Sequence, residues 1–254
     1  MKKKIAMLVV SCDKYSDLWP IFFGLWFKYW PSCPFKIYLG TNFKEYVHKD
    51  ITMIKIGTDS DYSTNLITMV NAIEEDYIMI TVEDIFLSQK VDEMNFDKFI
   101  QEFFENKAKF FKLIHTYPLG YDNDTSKRIA AVSDGVKYRI GVGAALWDKK
   151  VLKENLIPGL SAWEMEKAGD FGRDIPSSDI YALNYHFGGK HPFQFVHGVI
   201  KGAWLRNSIK FLVKEGYGSY LPNRPILGWY QYLYLRMFGV LMFVFKATNY
   251  KWKK

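Results

Sequence analysis

Residues 5–13 read IAMLVVSCD, a short apolar run that ends abruptly in polar residues. Residues 77–84 repeat this arrangement as YIMITVED, an apolar run that ends in two carboxylates. Continuous apolar runs of this length, rich in Val and Ile, are typical of strands that are buried on both faces of a parallel sheet. We therefore predict two parallel strands, Ile5–Val10 and Tyr77–Val82, each of which delivers polar side chains at its carboxyl end.

Further strands and helices are predicted to alternate with these two, because apolar residues recur at strand spacing in some segments and at helical spacing in others. The predicted strands are Phe35–Leu39, Thr52–Ile56, Phe110–His115, Lys137–Trp147 and Phe193–His197, and the predicted helices are Asp17–Tyr29, Ser63 or Thr64 to about Glu75, Phe96–Phe104, Lys149–Asn155 and Ser177–Tyr185, with an irregular loop at Tyr117–Ser133. This alternation predicts an α/β fold, a Rossmann-type domain with a mainly parallel central sheet. Ligands of such sheets bind beyond the carboxyl ends of the strands, where we expect Cys12-Asp13, the loop 59–63 and Glu83-Asp84 to converge.

The composition indicates a globular protein with an anionic partner. The chain has 254 residues, of which 49% are hydrophobic and 24% charged, and this excludes a disordered or collagen-like protein. The formal net charge of +7 favours nucleotide phosphates, nucleic acid or acidic lipid as partners. An aromatic content of 18% suggests a stacking site for sugars or bases, a membrane-contacting surface, or both. Cys12 and Cys33 are too few for a disulfide scaffold, so a cytoplasmic location is expected.

Five segments, taken together and in this order, resemble a known family of enzymes. They are LVVSCDKYSDLWPIFFGLWFKYWPSCPFKIYLGTN (residues 8–42), YIMITVEDIFL (77–87), GAALWDKKVL (143–152), SAWEMEKAG (161–169) and HGVIKGAW (197–204). They resemble bacterial nucleotide-sugar glycosyltransferases of the GT-A fold, and more narrowly the cytoplasmic enzymes that assemble capsule or lipopolysaccharide O-antigen repeats. The resemblance implies a GT-A-like domain over residues 1–204, with a donor half at about 1–90 and an acceptor half at about 91–204, followed by a basic, aromatic helical tail at 205–254.

The activity that this resemblance implies is transfer of a hexosyl or N-acetylhexosaminyl group from a nucleotide-diphosphate donor, expected to be a UDP-sugar, to a saccharide acceptor that is expected to be lipid-linked. The residues expected to bind the donor are Ser11, Cys12, Asp13, Tyr15, Asp61, Ser63, Glu83, Asp84, His197 and Lys201. Three of these assignments have structural alternatives. Asp13 fits a loop cap equally well, Asp61 fits an ordinary turn residue, and Lys201 fits a solvated side chain in a glycine-rich turn.

A divalent cation is a possible but doubtful cofactor. GT-A enzymes commonly hold Mn²⁺ or Mg²⁺ with a D-x-D pair, whereas Val82-Glu83-Asp84 lacks the first acidic residue. If a cation is used, Asp84 and His197 are its expected ligands. Two carboxylates directly after a buried strand carry a burial cost that structure alone rarely requires, so we expect Glu83 and Asp84 to be functional with or without a metal.

The segment 163–166, which reads WEME, resembles the W-E-x-E element of these enzymes. An inverting transfer needs a general base, and Glu164 is the expected base. Glu166 is the reserve candidate, because residues two apart on a helix point in different directions. Trp163 and Trp147 are the expected acceptor-binding residues. The alternative is a helix N-terminus whose acidic residues complement the helix dipole.

The tail carries an aromatic, apolar stretch at residues 226–245, about the length that spans a bilayer. Arg236 would lie near the middle of such a span at a cost of about 2.5–3.5 kcal/mol, so we expect residues 226–254 to lie in the plane of the anionic cytoplasmic leaflet. Packing on the catalytic domain or an oligomer contact is the alternative. Nucleic acid is not expected as a partner, because no recognised binding element is present. A catalytically inactive nucleotide- or glycan-binding module of the same fold remains the second hypothesis.

Overall fold

The computed structural model describes residues 4–114, 119–134, 136, 139–141, 143–167, 172, 174–235 and 237. These residues divide into two compact units, and the boundary falls between residues 195 and 196. The larger unit holds the central sheet and the helices that cover it. The smaller unit begins at residue 196 and has a core of its own.

The larger unit is a mixed α/β domain built on an eight-stranded sheet with the order β3-β2-β1-β4-β8-β6-β9-β7. The strands of this sheet are β1 (Ile5–Val10), β2 (Lys36–Thr41), β3 (Ile51–Lys55), β4 (Tyr77–Val82), β6 (Phe110–Lys112), β7 (Ile129–Ala131), β8 (Ala145–Asp148) and β9 (Ile180–Leu183), and the short strand β5 (Ile85–Leu87) lies outside it. The helices are α1 (Trp19–Tyr29), α2 (Tyr62–Asn71), α3 (Glu93–Glu105), α4 (Lys149–Asn155) and α5 (Ala162–Lys167). The run β3-β2-β1-β4 is parallel throughout, and β6 pairs in parallel with β9. The predicted α/β fold with a mainly parallel central sheet is thereby confirmed.

The strand order contains a topological switch point next to β1. The chain places β2 and then β3 on one side of β1, and it returns to place β4 on the other side. The crevice between two such strands, outside their carboxyl ends, is where open α/β sheets bind ligands. Val10 pairs with Val82, so β1 and β4 end at the same level and deliver Ser11 and Glu83 to the same edge.

Five of the seven described tryptophans lie in the core. The side chains of Trp19, Trp26, Trp30, Trp147 and Trp204 are all almost completely buried. Trp30 packs against Phe96 and Phe193, with ring centroids 5.0 and 5.4 Å apart. Only Trp163 and Trp229, among the described tryptophans, are exposed. Part of the aromatic content therefore serves core packing, and Trp163 and Trp229 are the described tryptophans that stay accessible to solvent.

Three secondary-structure predictions are wrong. The strand predicted over Lys137–Trp147 begins only at Ala145, because the described residues 139–141 and 143–144 are not in a strand. The other two concern β9 and β7. Residues Ser177–Asp179 form a short 3-10 turn that leads into β9, where a helix over Ser177–Tyr185 was predicted. β9 is held between β6 and β7, and pairing on both sides overrides a local pattern that fits either structure. β7 lies in the segment predicted to be an irregular loop. Some predicted segments include residues that the structure does not describe, namely 115, 117–118, 137–138, 142, 168–169, 236 and 238–254, and the predictions for these residues lie outside the described part of the chain.

The smaller unit contains a tight hairpin followed by a helix. β10 (Phe195–His197) leads into it, β11 (Val199–Ile200) pairs antiparallel with β12 (Ala203–Trp204), and α6 (Arg206–Lys214), a 3-10 turn (Gly218–Asn223) and helical residues 229–235 and 237 follow. The buried Trp204 donates its indole N–H to the Leu221 carbonyl at 3.0 Å. Within the part of the chain that the structure describes, we find no helix that combines the length and the apolar character needed to cross a bilayer.

Candidate active site at the carboxyl edge of the sheet

The loops that follow β1, β3 and β4 meet at the carboxyl edge of the sheet, as the sequence predicts. The surroundings of Cys12, the second residue after β1, show that these loops lie close to one another. Burial raises the pKa of the Cys12 thiol most strongly, and the nearby carboxylates of Glu83 and Asp59 raise that pKa further. The thiol is therefore protonated at neutral pH, which disfavours Cys12 as a nucleophile or a thiolate ligand.

Asp13 fastens the loop after β1 to the loop after β2. Its Oδ1 atom accepts hydrogen bonds from the Thr41 hydroxyl at 2.6 Å and from the backbone N–H groups of residues 42, 43 and 44 at 3.0 to 3.2 Å. Burial raises the pKa of the Asp13 carboxyl, but the Thr41 hydroxyl and these N–H groups together outweigh burial and lower it. The geometry thus gives Asp13 the structural role of a loop cap, and a donor contact of Asp13 stays a prediction.

Asn42 is a residue of this edge that sequence reasoning missed. Its side chain is buried, its Oδ1 accepts the Asp13 N–H at 3.0 Å, and its Nδ2 donates to the Gly57 carbonyl at 3.1 Å. One amide therefore joins the loops after β1, β2 and β3. The sequence offered one signal for this role, namely a side-chain amide directly after a buried strand. Such an amide is expected to be buried and therefore to need hydrogen-bond partners.

The lowered pKa of Asp13 predicts a pH dependence of stability. The unfolded chain has an ordinary Asp pKa of about 3.9, so Asp13 contributes stability that is complete above that value and is lost as pH falls through the lower folded pKa. We expect Asp13→Asn to reduce the loss of unfolding free energy between about pH 6 and pH 3, measured by urea titration. Asp97→Asn, at an exposed site on α3, is the control. Equal pH slopes for wild type and Asp13→Asn would contradict this account.

Asp61 and Ser63 hold the start of α2 to the segment that precedes α5. The Asp61 Oδ1 atom caps α2 by accepting the Thr64 N–H at 2.8 Å, and it also accepts the Gly159 N–H at 3.0 Å. Ser63 accepts the Leu160 N–H at 2.9 Å through Oγ and donates its own N–H to the Leu160 carbonyl at 3.0 Å. Asp61 therefore caps α2, which begins at Tyr62 and not at Ser63 or Thr64 as predicted.

These bonds give Asp61 and Ser63 a positioning role. The Thr64 N–H and the other donors lower the pKa of Asp61 strongly, so its carboxylate is ionised at any physiological pH. Because the bonds end on residues 159 and 160, they fix where the WEME segment begins. A contact of either side chain with the donor stays a prediction.

Glu164 forms a capping box with Ser161 at the start of α5. The Glu164 Oε2 atom accepts the Ser161 N–H at 2.8 Å and the Ser161 hydroxyl at 2.6 Å, and the Glu164 N–H is directed back to Ser161 Oγ at 3.3 Å. Both Ser161 groups lower the pKa of Glu164. Its Oε1 atom has no hydrogen-bond partner among the described residues, so the cap orients an exposed, ionised carboxylate and leaves one oxygen open. The side chain of Glu166 lies outside the described part of the chain.

The two predicted acceptor-binding tryptophans have opposite environments. Trp163 is 53% exposed, next to Glu164 on α5. Trp147 is buried in β8, where its ring lies edge-on to Phe110 at a centroid distance of 4.6 Å. The prediction that Trp147 contacts the acceptor is therefore corrected, because a side chain that is almost completely buried leaves no face for a sugar.

The remaining predicted donor residues of the larger unit lie close to the switch point. The Ser11 hydroxyl accepts the Trp19 indole N–H at 2.8 Å, and the Tyr15 N–H closes a turn on the Cys12 carbonyl at 2.9 Å. At the end of β4, Glu83 is buried and Asp84 is half-buried. Asp84 is the more accessible of the two carboxylates.

His197 and Lys201 belong to the smaller unit, and both side chains are exposed. Lys201 and Gly202 form the two-residue turn of the hairpin, with φ angles of +50° and +81°. Positive φ at both positions is the geometry of a type I′ turn, which favours glycine at the second position. The geometry of this turn explains Lys201-Gly202 without a ligand, and the predicted donor contacts of His197 and Lys201 stay predictions.

The described residues do not assemble a set of metal ligands. No group of three or more His, Cys, Asp or Glu side chains among them is arranged to hold an ion. Glu83 and Asp84 supply two neighbouring carboxylates, and His197 belongs to the other unit. Metal binding by Asp84 and His197 therefore stays a prediction, and we assign no step to a metal.

Two cavities of the larger unit lie away from this edge. One, of about 630 Å³, lies along β7 and the end of α3, and the other, of about 500 Å³, lies at the amino end of β4. The first is lined by ion pairs that neutralise each other, Arg128 with Glu102 and Lys127 with Asp122, both at 2.8 Å. The carboxyl edge is the better candidate for the active site. Open α/β sheets bind their ligands at this edge, next to the switch point, whatever the size of other cavities.

No protein-family model matches the sequence, and no curated protein matches it significantly. Among solved structures, S. aureus TarS 1-349 in complex with UDP-GlcNAc is similar with 13% identity and a TM-score of 0.46, over 74% of this chain and 60% of that one. HddC from Yersinia pseudotuberculosis is similar with 13% identity and a TM-score of 0.46, over 77% of this chain and 93% of that one. The bifunctional IspDF from Campylobacter jejuni is similar with 12% identity and a TM-score of 0.44, over 77% of this chain and 52% of that one.

This chain spans 59% and 35% of the first two TarS chains compared, and 52% of IspDF. TM-scores below 0.5 at such low identity carry no argument about activity, substrate or partner. A functional proposal therefore depends on the geometry of the site and on the resemblance of the sequence segments.

Proposed function

We propose that this chain is a glycosyltransferase that moves a sugar from a nucleotide-diphosphate donor to a saccharide acceptor. The observation that carries the proposal is the switch point between β1 and β4, where the loops after three parallel strands bring polar side chains to one edge. This edge is the ligand-binding position of an open α/β sheet. The family resemblance of the sequence supplies the reaction class.

In this proposal each residue has a role that agrees with its position in the structure. Asp84, at the end of β4, accepts hydrogen bonds from donor hydroxyl groups, and Asp13 holds the loops that form the nucleotide seat. Glu164 takes the proton of the attacking hydroxyl through its open oxygen, while Ser161 holds the other oxygen. Trp163 offers an exposed ring on which the acceptor sugar stacks.

The finer parts of the proposal are a UDP-hexose or UDP-N-acetylhexosamine donor, an inverting mechanism, and a lipid-linked acceptor in capsule or lipopolysaccharide assembly. A lipid-linked acceptor would place the enzyme on the inner face of the cytoplasmic membrane. The preference for inversion depends on Glu164, since a positioned carboxylate base is what a single displacement requires.

A thermal-shift panel of nucleotides and nucleotide sugars tests the binding half of this proposal. A ligand at one hundred times its dissociation constant adds about 2.7 kcal/mol of stability, which raises the unfolding temperature measurably. We expect UDP and UDP-sugars to raise it, and adenine and guanine nucleotides to raise it less. Each ligand is measured with and without Mn²⁺, so that a metal requirement becomes visible. If no nucleotide raises the unfolding temperature, the proposed nucleotide site is wrong.

The second candidate is a binding module without turnover, and one observation favours it. The carboxylates of Asp13, Asp61 and Glu164 all accept structural hydrogen bonds that would be needed even without a reaction. A module of this kind would respond to the same nucleotides in the thermal-shift panel. It would release no UDP from any UDP-sugar.

A further inference from the structure

The smaller unit exposes an aromatic face on its last described helical segment. Residues 229–235 and 237 are helical, and spacings of four residues place one set of side chains on the same side. This aromatic face consists of Trp229, Tyr230, Leu233, Tyr234 and Met237, whose exposed fractions run from 48% to 91%. A contiguous exposed apolar surface is unusual on a water-facing helix and marks an interaction site.

A basic stripe runs along α6 in the same unit. It consists of Arg206, Lys210 and Lys214, which lie four residues apart and so share one side of the helix. Ser208 and Leu212 are buried on the other side. Among the described residues, none of the three cations forms an ion pair with a carboxylate. The stripe therefore presents positive charge that nothing in the described part of the chain neutralises.

The aromatic face and the basic stripe meet at their first residues. The Arg206 guanidinium carbon lies 4.9 Å from the centroid of the Trp229 ring, a cation–π contact. The indole of Trp229 is still 58% exposed. The aromatic face and the basic stripe are thus joined at Arg206 and Trp229, and we treat them together as one surface.

We propose that this surface docks the chain on an anionic lipid bilayer. Trp and Tyr rings prefer the interface between headgroups and acyl chains, and Lys and Arg beside them bind anionic headgroups. A protein partner would need an apolar groove that matches these rings. A bilayer requires only that aromatic rings and basic side chains lie next to each other on the docking surface. The inference deepens the membrane placement given under the proposed function, but docking requires no turnover, and it assigns α6 and the helical residues 229–235 and 237 to the membrane contact.

Vesicle sedimentation of the purified full chain tests the proposal. We expect the chain to sediment with vesicles of phosphatidylcholine and phosphatidylglycerol and much less with phosphatidylcholine alone. Each cation near an anionic surface contributes about fivefold to affinity, so Lys210→Glu with Lys214→Glu should weaken binding at least tenfold. Added salt should weaken wild-type binding as well, because it screens the headgroup charge. Trp229→Ser with Tyr234→Ser should weaken binding at low and high salt alike.

The matched controls make the same kinds of substitution in the larger unit, away from the proposed docking surface. Lys90→Glu with Lys98→Glu alters the net charge equally in the larger unit, and Met94→Ser removes an exposed apolar side chain there. Both controls should bind vesicles like the wild type, and circular dichroism should show all variants folded. UDP release in solution should be unchanged in every variant, which separates failure of docking from failure of the proposed reaction.

Three results would overturn the proposal. The first is absence of binding to vesicles that contain phosphatidylglycerol. The second is an equal loss of binding in the Lys90 and Lys98 control, since the effect would then reflect net charge alone. The third is self-association of the chain, measured by analytical ultracentrifugation, that Trp229→Ser with Tyr234→Ser abolishes without any effect on vesicle binding. In that case the aromatic face would bind a second copy.

Discussion

Glu164→Gln is expected to lower kcat by about 10²–10⁴-fold while donor affinity stays close to that of the wild type, because positioned proton transfer contributes that much to rate. The substitution is well suited to this site. Glutamine is accepted at the same position of a capping box, so the hydrogen bonds with Ser161 survive and only the proton-accepting charge is lost. The rate of UDP release at saturating donor, together with UDP affinity by calorimetry, measures both quantities.

Ser161→Ala is the matched control for the cap. Removing an N-cap hydroxyl costs about 1 kcal/mol of stability, but it leaves the Glu164 carboxylate in place. We expect this variant to be less stable and to retain far more activity than Glu164→Gln. If Ser161→Ala and Glu164→Gln lose activity equally, Glu164 acts only through the cap. If Glu166→Gln is instead the inactive variant, the reserve candidate is the base.

Asp84→Asn is expected to lower kcat/KM by roughly 10- to 100-fold, with the loss appearing in donor affinity as well as in rate. The reason is that a hydrogen bond to a charged group is worth about 1.5–3 kcal/mol, and the amide keeps the shape while losing the charge. Asp76→Asn is the control, because Asp76 is an exposed carboxylate that precedes the same strand at its other end. Wild-type kinetics in Asp84→Asn would remove Asp84 from the site, and a loss only in the presence of Mn²⁺ would assign it to a metal.

The parts of the fold that the sequence predicted well are those with strong local signals. β1 and β4 have the predicted bounds, since an apolar, β-branched run between polar residues has few alternatives. α4 also has the predicted bounds, with Asp148 accepting the Lys150 N–H at its start. β9 was mistaken for a helix because its pattern is short, and its pairing with β6 and β7 cannot be seen locally.

The candidate site was predictable only in outline. Topology was enough to place Cys12, Glu83 and Asp59 at one edge, because parallel strands end together. The capping box at Ser161 and Glu164 was readable as an S-x-x-E pattern, but the same letters also fitted a W-E-x-E element. The bonds from Asp61 to Gly159 and from Ser63 to Leu160 join residues almost a hundred positions apart, and no local pattern encodes such a contact.

The measurement that tests the central claim most directly is UDP release from UDP-sugars by the purified chain, with Glu164→Gln run in parallel. The account predicts release from at least one UDP-hexose or UDP-N-acetylhexosamine, accelerated by a saccharide acceptor and reduced at least a hundredfold in the variant. UDP binding without release from any of these donors would contradict the transferase and leave a binding module. Equal release by wild type and variant would contradict the assignment of Glu164 as the base.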